Sequence, residues 1–469
     1  RATRLHAERK GDGPLSGPSQ LGGLATGVPG EPLGIATLLQ RFGRLPRAQV
    51  VAPALRYAQN GAAASTYLAG LVRHFASQLA RDPALAAWFL PQGTAAVPGQ
   101  RLRNRALAKT LQRFAAQGAH TFYRGAMARG IIAANRKAGG VLRMRDLHLY
   151  QVRERPVLQA TRRGLTWATA PPPSAGGYIL LSSLALRSHW WPDQGPVPTW
   201  LRLHGLAESW KGPFWDRRMY FGDPDFVTVP LKALMAPARV AARAALFHPT
   251  LALPQSWYAL PLPDRPAQAP TVPENPGTSH LCAVDADGNV AAVTTSINLP
   301  FGARYSAHGY PLNDHMDDFS RTDNSSNAFG LVGGENNRLA PRKRPVSSMA
   351  PTLVLDAQGP VLCIGASGGS RIITAIAQVA DQVLRRGKTP AEALALPRIH
   401  HQGQALTTHV KSPLPARVLA ALKARGHVHK ELDSAYRPAV QLIQIRREGK
   451  RRLLYAAADA SKGGIPAGR

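Results

Sequence analysis

The sequence predicts an α+β fold in which helices and sheets are stacked in layers. Apolar residues recur three and four positions apart in 49–60, 66–80 and 105–117, which is typical of helices with one buried face. From Thr278 onward the pattern changes to short apolar runs that are joined by glycine-containing turns. Because helices dominate the first part and strands recur in the second, a regular alternation of strands and helices is disfavoured.

The first part of the chain also contains irregular segments. Residues 1–35 are rich in glycine and proline, and short strand-like runs lie around 150–170. The proline- and glycine-rich segment 171–177 precedes a predicted helix at 178–186. Residues 250–277 are irregular and rich in proline, which is typical of a linker.

The second part predicts hairpins and helices. The turn D-A-D-G-N at 285–289 is a strong hairpin signal, because Asp-Gly and Gly-Asn tolerate positive φ angles. The predicted elements are hairpin strands at 279–284 and 290–297, strands at 352–356 and 360–365, helices at 371–385 and 414–425, and hairpin strands at 439–446 and 451–458.

The composition is that of a large folded protein. The chain has 469 residues, of which 44% are apolar, and a chain of this length forms two or three domains or one large layered domain. Glycine and proline together make up about 18%, below the roughly 25–30% of low-complexity chains. No apolar run approaches the ~20 residues that a membrane span needs, so no transmembrane segment is expected.

The chain is strongly basic, with 58 Lys and Arg against 27 Asp and Glu and a net charge of +31. Such a charge suits a nucleic acid or an anionic membrane as partner. The arginines are scattered, however, and the densest basic cluster is the short run at 342–344. A polycationic nucleic-acid binder is therefore only a remote alternative, and no specific nucleic-acid partner is expected.

The cysteines and histidines do not predict a metal site. Cys282 and Cys363 both lie in apolar, strand-like runs, where buried free thiols are favoured over a disulfide. The histidines at 400, 401, 427 and 429 lack zinc-site spacing and are interpreted as surface or loop residues. No metal and no cofactor are expected. The chain begins at Arg1, and no signal peptide is visible.

The run G-A-S-G-G at 365–369 matches the G-x-S-x-G pattern of a serine nucleophile between a strand and a helix. Ser367 would need an acid and a base, for which Asp381 and either His400 or His401 are candidates. The preceding half of the chain is not an alternating β-α series, which argues against this reading. The favoured interpretation is a glycine-rich turn at a helix start, whose N–H groups bind an anion or oxyanion.

A second candidate is the junction of Gly277 and Thr278, where the proline-rich segment ends and a strand begins. Most such threonines merely start a strand. If the bond between them is cut, however, Thr278 carries both a hydroxyl nucleophile and an α-amine that can act as its base. Gly277 has no Cβ and tolerates the distorted backbone that attack by the Thr278 hydroxyl requires.

Two further segments carry polar groups suited to an amino-acid ligand. The run N-D-H-M-D-D-F-S at 313–320 holds three carboxylates in five residues, which suits an ammonium group or another cation. The run K-R-P-V-S-S at 343–348 places two hydroxyls after basic residues, which suits a carboxylate. A solvated acidic loop and a polar turn before a strand are the alternatives.

Taken in order, these segments resemble the γ-glutamyltransferase (γ-glutamyltranspeptidase) family of N-terminal-nucleophile hydrolases. The matches in the second part are T-S-H at 278–280, V-D-x-D-G-N at 284–289, Asn298 with F-G at 301–302, M-D-D-F-S at 316–320, G-L-V-G-G at 330–334, R-P-x-S-S-M-x-P-T at 344–352, G-G-S-R-I-I at 368–373 and P-R-x-H-H-Q at 397–402. The first part adds V-P-G at 28–30, P-P-P-S-x-G-G at 171–177 and G-D-P-D-F-V at 222–227. The resemblance covers essentially the whole chain. It implies a four-layer αββα sandwich, with a large segment 1–277 and a small segment 278–469.

The resemblance also implies roles for single residues. Thr278 matches the nucleophile that self-cleavage after Gly277 releases, and Ser296 matches a hydroxyl that binds it. The other matches are Asn298, His315 and Asp318 at the amino end of the substrate, Ser347 and Ser348 at its α-carboxylate, Gly368 and Gly369 in the oxyanion hole, and Phe329 as the aromatic residue of a lid at 321–337.

The activity implied by the resemblance is that of a γ-glutamyl hydrolase or transpeptidase. Thr278 would attack a γ-glutamyl amide such as glutathione, and water, an amino acid or a peptide would release the acyl group. The two segments would associate after cleavage, and the family implies a periplasmic or secreted protein. An acylase on another amide and a non-catalytic or truncated relative are alternatives. Asp318 argues against the acylase, while Thr278 and the serine pair argue against a non-catalytic role.

Three features depart from the family pattern. His315 stands where the family has Glu or Gln, and a histidine accepts a hydrogen bond only when it is neutral. Ser367 stands in place of a proline, which adds a backbone N–H. The run R-A-T-R at 1–4 resembles the segment just after an F-R-E-x-A-P motif, whose arginine binds the substrate carboxylate. The expectation is a fragment, a truncated product or a degenerate member.

Overall fold

The computed structural model describes residues 18–191, 197–262, 277–320, 331, 333–410, 412–432, 437–449 and 451–468. They form two compact units. Unit 1 comprises Arg1–Glu154, Thr295–Asp317 and Ala340–Arg342, and unit 2 comprises Arg155–Thr294, Asp318–Leu339 and Lys343–Arg469. The boundary between the units is distinct from the division of the covalent chain at residue 277, which stays a prediction.

The α-helices of the described residues are α1 (Glu31–Phe42), α2 (Arg47–Asn60), α3 (Thr66–His74), α4 (Ala76–Leu79), α5 (Pro83–Phe89), α6 (Arg105–Gln117), α7 (His120–Tyr123), α8 (Gly125–Lys137), α9 (Met144–His148), α10 (Gly176–Trp190), α11 (Thr199–Tyr220), α12 (Leu231–Leu234), α13 (Pro237–Ala244), α14 (Arg371–Arg386), α15 (Pro390–Ala395) and α16 (Ala416–Lys423). The helices predicted before residue 190 are therefore confirmed, with 66–80 divided into two. No helix of the described residues is both long and apolar enough to cross a membrane.

The strands of the described residues are β1 (Ala62–Ala63), β2 (Arg101–Leu102), β3 (Leu158–Arg162), β4 (Leu165–Thr169), β5 (Thr278–Val284), β6 (Val290–Ser296), β7 (Ser306–Ala307), β8 (Tyr310–Pro311), β9 (Thr352–Asp356), β10 (Gly359–Ser367), β11 (Leu406–His409), β12 (His429–Leu432), β13 (Ala439–Glu448) and β14 (Arg451–Ala458). The elements predicted after residue 278 are all present, and their ends differ from the prediction by no more than about two residues.

Unit 1 consists mainly of helices around an apolar core. Phe114 and Ile131 contribute to this core from α6 and α8, and Tyr305 contributes from the segment that precedes β7. Asn135 is completely buried and satisfies its side-chain N–H groups by donating to Gly23 O and to Tyr305 Oη, both at 2.9 Å. The amide therefore ties three separate parts of unit 1 together without an unpaired donor.

Unit 2 is organised around one antiparallel sheet with the strand order β14-β13-β10-β9-β4-β3. In β10, Ile364 lies opposite Leu442 of β13 and Thr352 of β9. The strand is buried from Leu362 to Ser367, because both faces of the sheet are covered there. This burial explains why the sequence shows a continuous apolar run rather than an alternating one.

Helices cover one face of the sheet and the β5–β6 hairpin covers the other. Successive residues of β10 point to opposite faces of the sheet. Leu362 and Ile364 join the helical core, whereas Cys363 and Gly365 face β5. Helix α14 packs on β10 and β13, and α10 packs on α14. The order of helix, sheet and second sheet within unit 2 confirms the predicted α+β fold class.

Helix α11 is buried along most of its length, so its charged residues have partners inside the protein. Glu208 accepts hydrogen bonds from Lys211 Nζ at 2.6 Å and from Tyr258 Oη at 2.8 Å. Asp216 forms ion pairs with Arg239 at 2.9 Å and Arg243 at 2.7 Å. Some of the excess arginines of this chain therefore compensate buried carboxylates rather than forming a basic surface.

His400, His401 and His427 lie in loops, as predicted, but they are buried, so their interpretation as surface residues is wrong. His400 Nδ1 shares a 2.9 Å hydrogen bond with Thr374 Oγ1, and His427 Nε2 shares one of 2.7 Å with His204 Nδ1. Burial lowers the pKa of all three buried histidines, and that of His427 falls to about 3. They are therefore neutral near pH 7.

The prediction of a linker over 250–277 is wrong for its first part. A short 3-10 helix at Gln255–Tyr258 buries Tyr258 completely, and the Tyr258 hydroxyl donates to Glu208. Proline content alone did not reveal this anchor, because a single aromatic side chain is enough to fix an irregular segment. The remainder, 263–276, lies outside the described residues.

The expectation of buried free thiols is also wrong, because Cys282 and Cys363 form a disulfide. Their Cα atoms are 6.0 Å apart, which lies in the usual range for bridged residues. The bond joins β5 to β10 across the two sheets. Both cysteines were correctly placed in strands, but the sequence did not show that the two strands face each other.

We expect loss of this disulfide to destabilise unit 2. A cross-link between residues 81 positions apart contributes about 4 kcal/mol in the chain-entropy model, which corresponds to a decrease in Tm of about 5–10 °C. The measurement is thermal unfolding of the C282A/C363A double variant beside the wild type, each with and without a reductant. The reductant should affect only the wild type. An equal Tm for the double variant and the oxidised wild type would contradict the expectation.

Candidate active site

Strand β5 begins at Thr278 and lies against the face of β10. Two contacts fix the alignment of the strands. Cys282 is bonded to Cys363, and the His280 ring lies against Gly365, where a Cβ would come within 2.2 Å of the ring. These two contacts show that β5 and β10 run in opposite directions, because residue 280 lies against residue 365 and residue 282 against residue 363. Extended by two residues along each strand, this alignment would bring Thr278 opposite Ser367, at the end of β10.

His280 fills the space between β5, β6 and β10. Its Nδ1 shares a 2.8 Å hydrogen bond with Thr294 Oγ1 of β6. Burial lowers the pKa of His280 to about 4, so the ring is neutral at physiological pH. His280 is therefore an uncharged support for the strand that begins with Thr278.

Strand β10 ends in a glycine turn that leads into α14. Gly368 and Gly369 have φ angles of +135° and +57°, which favour glycine. Their carbonyl groups accept hydrogen bonds from the N–H groups of Arg371 and Ile372. Within the described residues, the N–H groups of the two glycines donate no hydrogen bond. Two adjacent N–H donors at a helix start suit an anion or an oxyanion.

The structure does not assemble the serine triad that the G-x-S-x-G pattern suggested. Ser367 Oγ accepts a hydrogen bond from Lys462 Nζ at 3.0 Å. Asp381 lies about 15 Å along α14 from its start and forms an ion pair with Arg187 at 2.8 Å. His400 is hydrogen-bonded to Thr374. The interpretation as a turn at a helix start describes these residues better.

The serine pair is held by the loop that precedes α10. The N–H of Ser347 donates to Pro173 O at 3.1 Å, and the carbonyl of Ser347 accepts from the N–H of Ala175 at 3.0 Å. Ser347 Oγ accepts from the N–H of Met349 at 3.1 Å. Ser348 is buried and Ser347 is partly exposed. The proline-rich loop thus positions the backbone that carries both hydroxyls.

Asp318 is the last residue of a 3-10 helix, His315–Asp318, and lies beside a buried cation. Burial lowers the pKa of Arg217 to about 10, and the Asp318 carboxylate acts in the opposite direction. Asn337 Nδ2 donates to Asp318 O at 2.8 Å, while Asn337 Oδ1 accepts from the N–H of Val346 at 2.9 Å. Asn337 therefore links Asp318 to the segment that leads into Ser347.

Unit 1 contains Ser296, Asn298 and His315, which form one connected group. Asn298 has a φ of +76°, and its N–H donates to Ser296 Oγ at 2.9 Å. Asn298 Nδ2 donates to Asp314 O at 3.1 Å. His315 Nε2 lies 3.1 Å from Ser296 O, so this nitrogen carries a proton, because a carbonyl oxygen only accepts.

Phe329 lies outside the described residues, as does most of the lid predicted at 321–337. Of that segment the structure describes residues 331 and 333–337. Gly277 is described and directly precedes β5.

Sequence reasoning missed three residues that lie next to predicted ones. Arg217 is beside Asp318, Asn337 is bonded to it, and Lys462 is bonded to Ser367. The D-R-R run at 216–218, flanked by aromatic residues at 214–215 and 220–221, was a usable signal of buried charge. Asn337 belongs to the predicted lid at 321–337, and the sequence predicts no contact of its side chain with Asp318. Lys462 gave no signal, because it is 95 residues from Ser367 in sequence.

Two clusters of the described residues contain ligand types that suit a metal, and both are engaged in other contacts. In the first, His204, Glu208 and His427 lie together, but Glu208 binds the Lys211 ammonium and the two histidines bind each other. In the second, His280 lies beside Cys282 and Cys363, whose sulfurs form the disulfide. A thiolate is the form of cysteine that binds a metal, so the second set does not fit one.

We expect Gly365→Ala to destabilise unit 2, because the added methyl group would collide with the His280 ring. Overpacking of this kind costs about 1–3 kcal/mol, which denaturant unfolding would measure. The matched variants are H280A and the double variant G365A/H280A, in which the collision is absent. The double variant should lose less stability than the sum of the single variants. Strict additivity would mean that the two residues do not touch and would contradict the alignment of β5 on β10.

Comparison with known proteins supports the relationship suggested by the motifs. The model of the gamma-glutamyltranspeptidase family matches residues 6–468. The glutathione hydrolase proenzyme of Escherichia coli (strain K12) is 34% identical over 439 residues, which span 93% of this chain and 74% of the relative. The glutathione hydrolase proenzyme of Pseudomonas aeruginosa is 34% identical over 421 residues, which span 87% of this chain and 72% of the relative.

A solved structure supports the fold. Cephalosporin acylase from Bacillus halodurans is similar with a TM-score of 0.80 and 24% identity, over 95% of this chain and 78% of that chain. At this identity the similarity concerns the fold alone, and it supports the α+β fold. With the family match over nearly the whole length and relatives at 34% identity, the chain belongs to the gamma-glutamyltranspeptidase family of enzymes.

Proposed function

We propose that this protein is a γ-glutamyl hydrolase or transpeptidase whose nucleophile is Thr278, released by self-cleavage after Gly277. The observation that carries the proposal is the alignment of β5 on β10. Extended to the first residue of β5, this alignment would bring Thr278 opposite the end of β10, directly before Gly368 and Gly369, and this supports the proposal. Membership in a family whose relatives are named glutathione hydrolase supports the reaction.

Self-cleavage uses the hydroxyl of Thr278 on its own peptide bond. The Oγ atom attacks the Gly277 carbonyl, its proton passes to the peptide nitrogen, and the C–N bond breaks to give an ester. Water then hydrolyses the ester. The products are a segment that ends at Gly277 and a segment that begins with Thr278, which now has a free α-amine.

Turnover repeats this chemistry on the substrate. Thr278 Oγ attacks the γ-glutamyl carbonyl while the α-amine accepts the hydroxyl proton. The oxyanion accepts hydrogen bonds from Gly368 and Gly369, and the α-amine returns the proton to the leaving amine. Water or an acceptor amino acid or peptide then attacks the acyl-enzyme and regenerates Thr278.

Substrate recognition is proposed to use opposite charges and hydroxyl donors. Asp318 would bind the α-ammonium group of the γ-glutamyl substrate, and Ser347 and Ser348 would bind its α-carboxylate. The family resemblance adds roles for Ser296 beside the nucleophile and for Asn298, His315 and Phe329 at the substrate, listed here as proposals. The contact of Asn337 with Asp318 and with the N–H of Val346 supports a shared placement of the acid and the serine pair.

The proposed location is an oxidising compartment, either the periplasm or the cell exterior. The disulfide between Cys282 and Cys363 supports this location, because disulfides persist under oxidising conditions and are rare in the cytosol. After cleavage, the two segments are proposed to remain associated.

We expect the wild-type chain to cleave itself and the Thr278→Ala variant to stay whole, because alanine has no hydroxyl. Intact mass of the purified, folded proteins would show segments 1–277 and 278–469 only where the hydroxyl is present. Thr278→Ser is the matched control, since it keeps the nucleophilic oxygen, and should still cleave. A folded wild-type chain that remains uncut after incubation would contradict the proposal and favour a non-catalytic relative.

We expect Asp318→Asn to reduce kcat/KM for an L-γ-glutamyl anilide by about 10–100-fold, because the substrate ammonium loses a charged acceptor. The matched substrate is a glutaryl anilide, which lacks only the α-amino group, and its turnover should change little. The pair of substrates separates loss of recognition from damage to the nucleophile. A wild-type preference for the glutaryl anilide would instead favour the acylase alternative.

A further inference from the structure

Lys462 connects the C-terminal part of unit 2 to the end of strand β10. It is the last residue of a short 3-10 helix, Ala460–Lys462, that packs against β13. Its Nζ atom donates a hydrogen bond to Ser367 Oγ at 3.0 Å. Ser367 is only 3% exposed, so this contact brings an ammonium group into the interior at the point where the glycine turn begins.

The same contact lies on the face of β10 that turns toward β5. Cys363, Gly365 and Ser367 share this face, and the first two are in contact with Cys282 and His280. Extended by two residues, the alignment of β5 on β10 would bring Thr278 to this same face, opposite Ser367.

Asp459 is a carboxylate near Lys462, but both of its oxygens accept from Arg398 Nη2 at 3.0 Å, and one accepts from the N–H of Val440. His280 adds no charge from the β5 side, because its ring is neutral.

Burial lowers the pKa of Lys462 to about 8, while Asp459 acts in the opposite direction. Its ammonium is therefore charged at pH values below about 8. An unperturbed α-amine has a pKa of about 8 and is largely protonated at pH 7, a form that cannot accept the hydroxyl proton. A nearby like charge disfavours the protonated form of an amine.

Resting on the proposed function, we propose that Lys462, acting through Ser367, is a positioning residue that keeps a positive charge beside Thr278. This charge holds the α-amine of Thr278 in its neutral, proton-accepting form. Lys462 itself exchanges no proton during turnover. The hydrogen bond to Ser367 serves to fix the ammonium at the end of β10.

The test is the pH dependence of kcat/KM for an L-γ-glutamyl anilide. In Lys462→Met, the acidic limb of the profile should move to higher pH by about one unit, since the α-amine no longer has a cation beside it. Lys462→Arg keeps the positive charge, so the acidic limb of its profile should lie at the same pH as in the wild type. Lys423→Met removes an exposed lysine of α16 in the same unit and should also leave the profile unchanged.

A second set of variants tests the connection through Ser367. Ser367→Ala should move the acidic limb in the same direction as K462M but by less, and the double variant S367A/K462M should match K462M alone. Additive shifts would show that the two residues act separately and would overturn the connection.

Three results would overturn the role of Lys462. A uniform loss of kcat/KM at all pH values would indicate support of the fold alone. A complete loss of turnover in K462R at wild-type stability would indicate that Lys462 transfers a proton. If the acidic limb of K462M lies at the same pH as in the wild type, the charge of Lys462 does not affect the α-amine of Thr278.

The α-amine can also be titrated without turnover. The rate at which cyanate carbamylates the Thr278 amine, followed by mass over a range of pH, reports its pKa directly. If the chain cleaves itself but shows no turnover, the proposed function is overturned. The cyanate titration still tests Lys462 in that case, because K462M should raise the pKa of the Thr278 α-amine by about one unit. An uncut wild-type chain would overturn both.

Discussion

The close contact between β5 and β10 at Gly365 is the constraint on which the candidate site depends. The absence of a side chain at this position lets the His280 ring lie against the backbone, and the Cys282–Cys363 bond fixes the strands two residues further along. Both contacts fit one antiparallel alignment, whose extension would bring Thr278 to the end of β10. In the proposed site, the position of the nucleophile relative to the glycine turn would thus follow from sheet packing rather than from a flexible loop. Sites on rigid elements hold their groups more accurately than sites on loops.

The groups proposed to bind the substrate are positioned by a different means. Ser347 is fixed by backbone hydrogen bonds to the segment at 173–175, and Asp318 is fixed through the buried amide of Asn337. Arg217 remains beside Asp318 as a desolvated cation. This cation lies beside the carboxylate that is proposed to bind the substrate ammonium group. In the proposed complex, the substrate ammonium group would share this carboxylate with Arg217.

Most of the elements in the second part could be predicted from the sequence, because glycine-containing turns mark the ends of their strands and α14 has a strong apolar face. Helix α11 was not predicted, since it is buried on all sides, shows no apolar stripe and contains Pro213. The family motifs supplied the candidate residues at 278, 318, 347, 348, 368 and 369. Local sequence could not predict the disulfide or the contact of Lys462 with Ser367, because each joins distant positions that only the stacking of sheets and strands brings together.

The disulfide has a consequence for assembly, since both cysteines lie on the same side of the proposed cleavage point. The chain contains two cysteines, at 282 and 363, so a cut after residue 277 leaves no covalent bond between the two segments. Folding of the uncut precursor is unimolecular and independent of concentration. Reassembly of separated segments is bimolecular, so its rate and the apparent stability of the product would depend on protein concentration. If the precursor folds before it is cut, the two segments are already associated when the cut is made. They then need no bimolecular encounter, which dilution outside the cell would make slow.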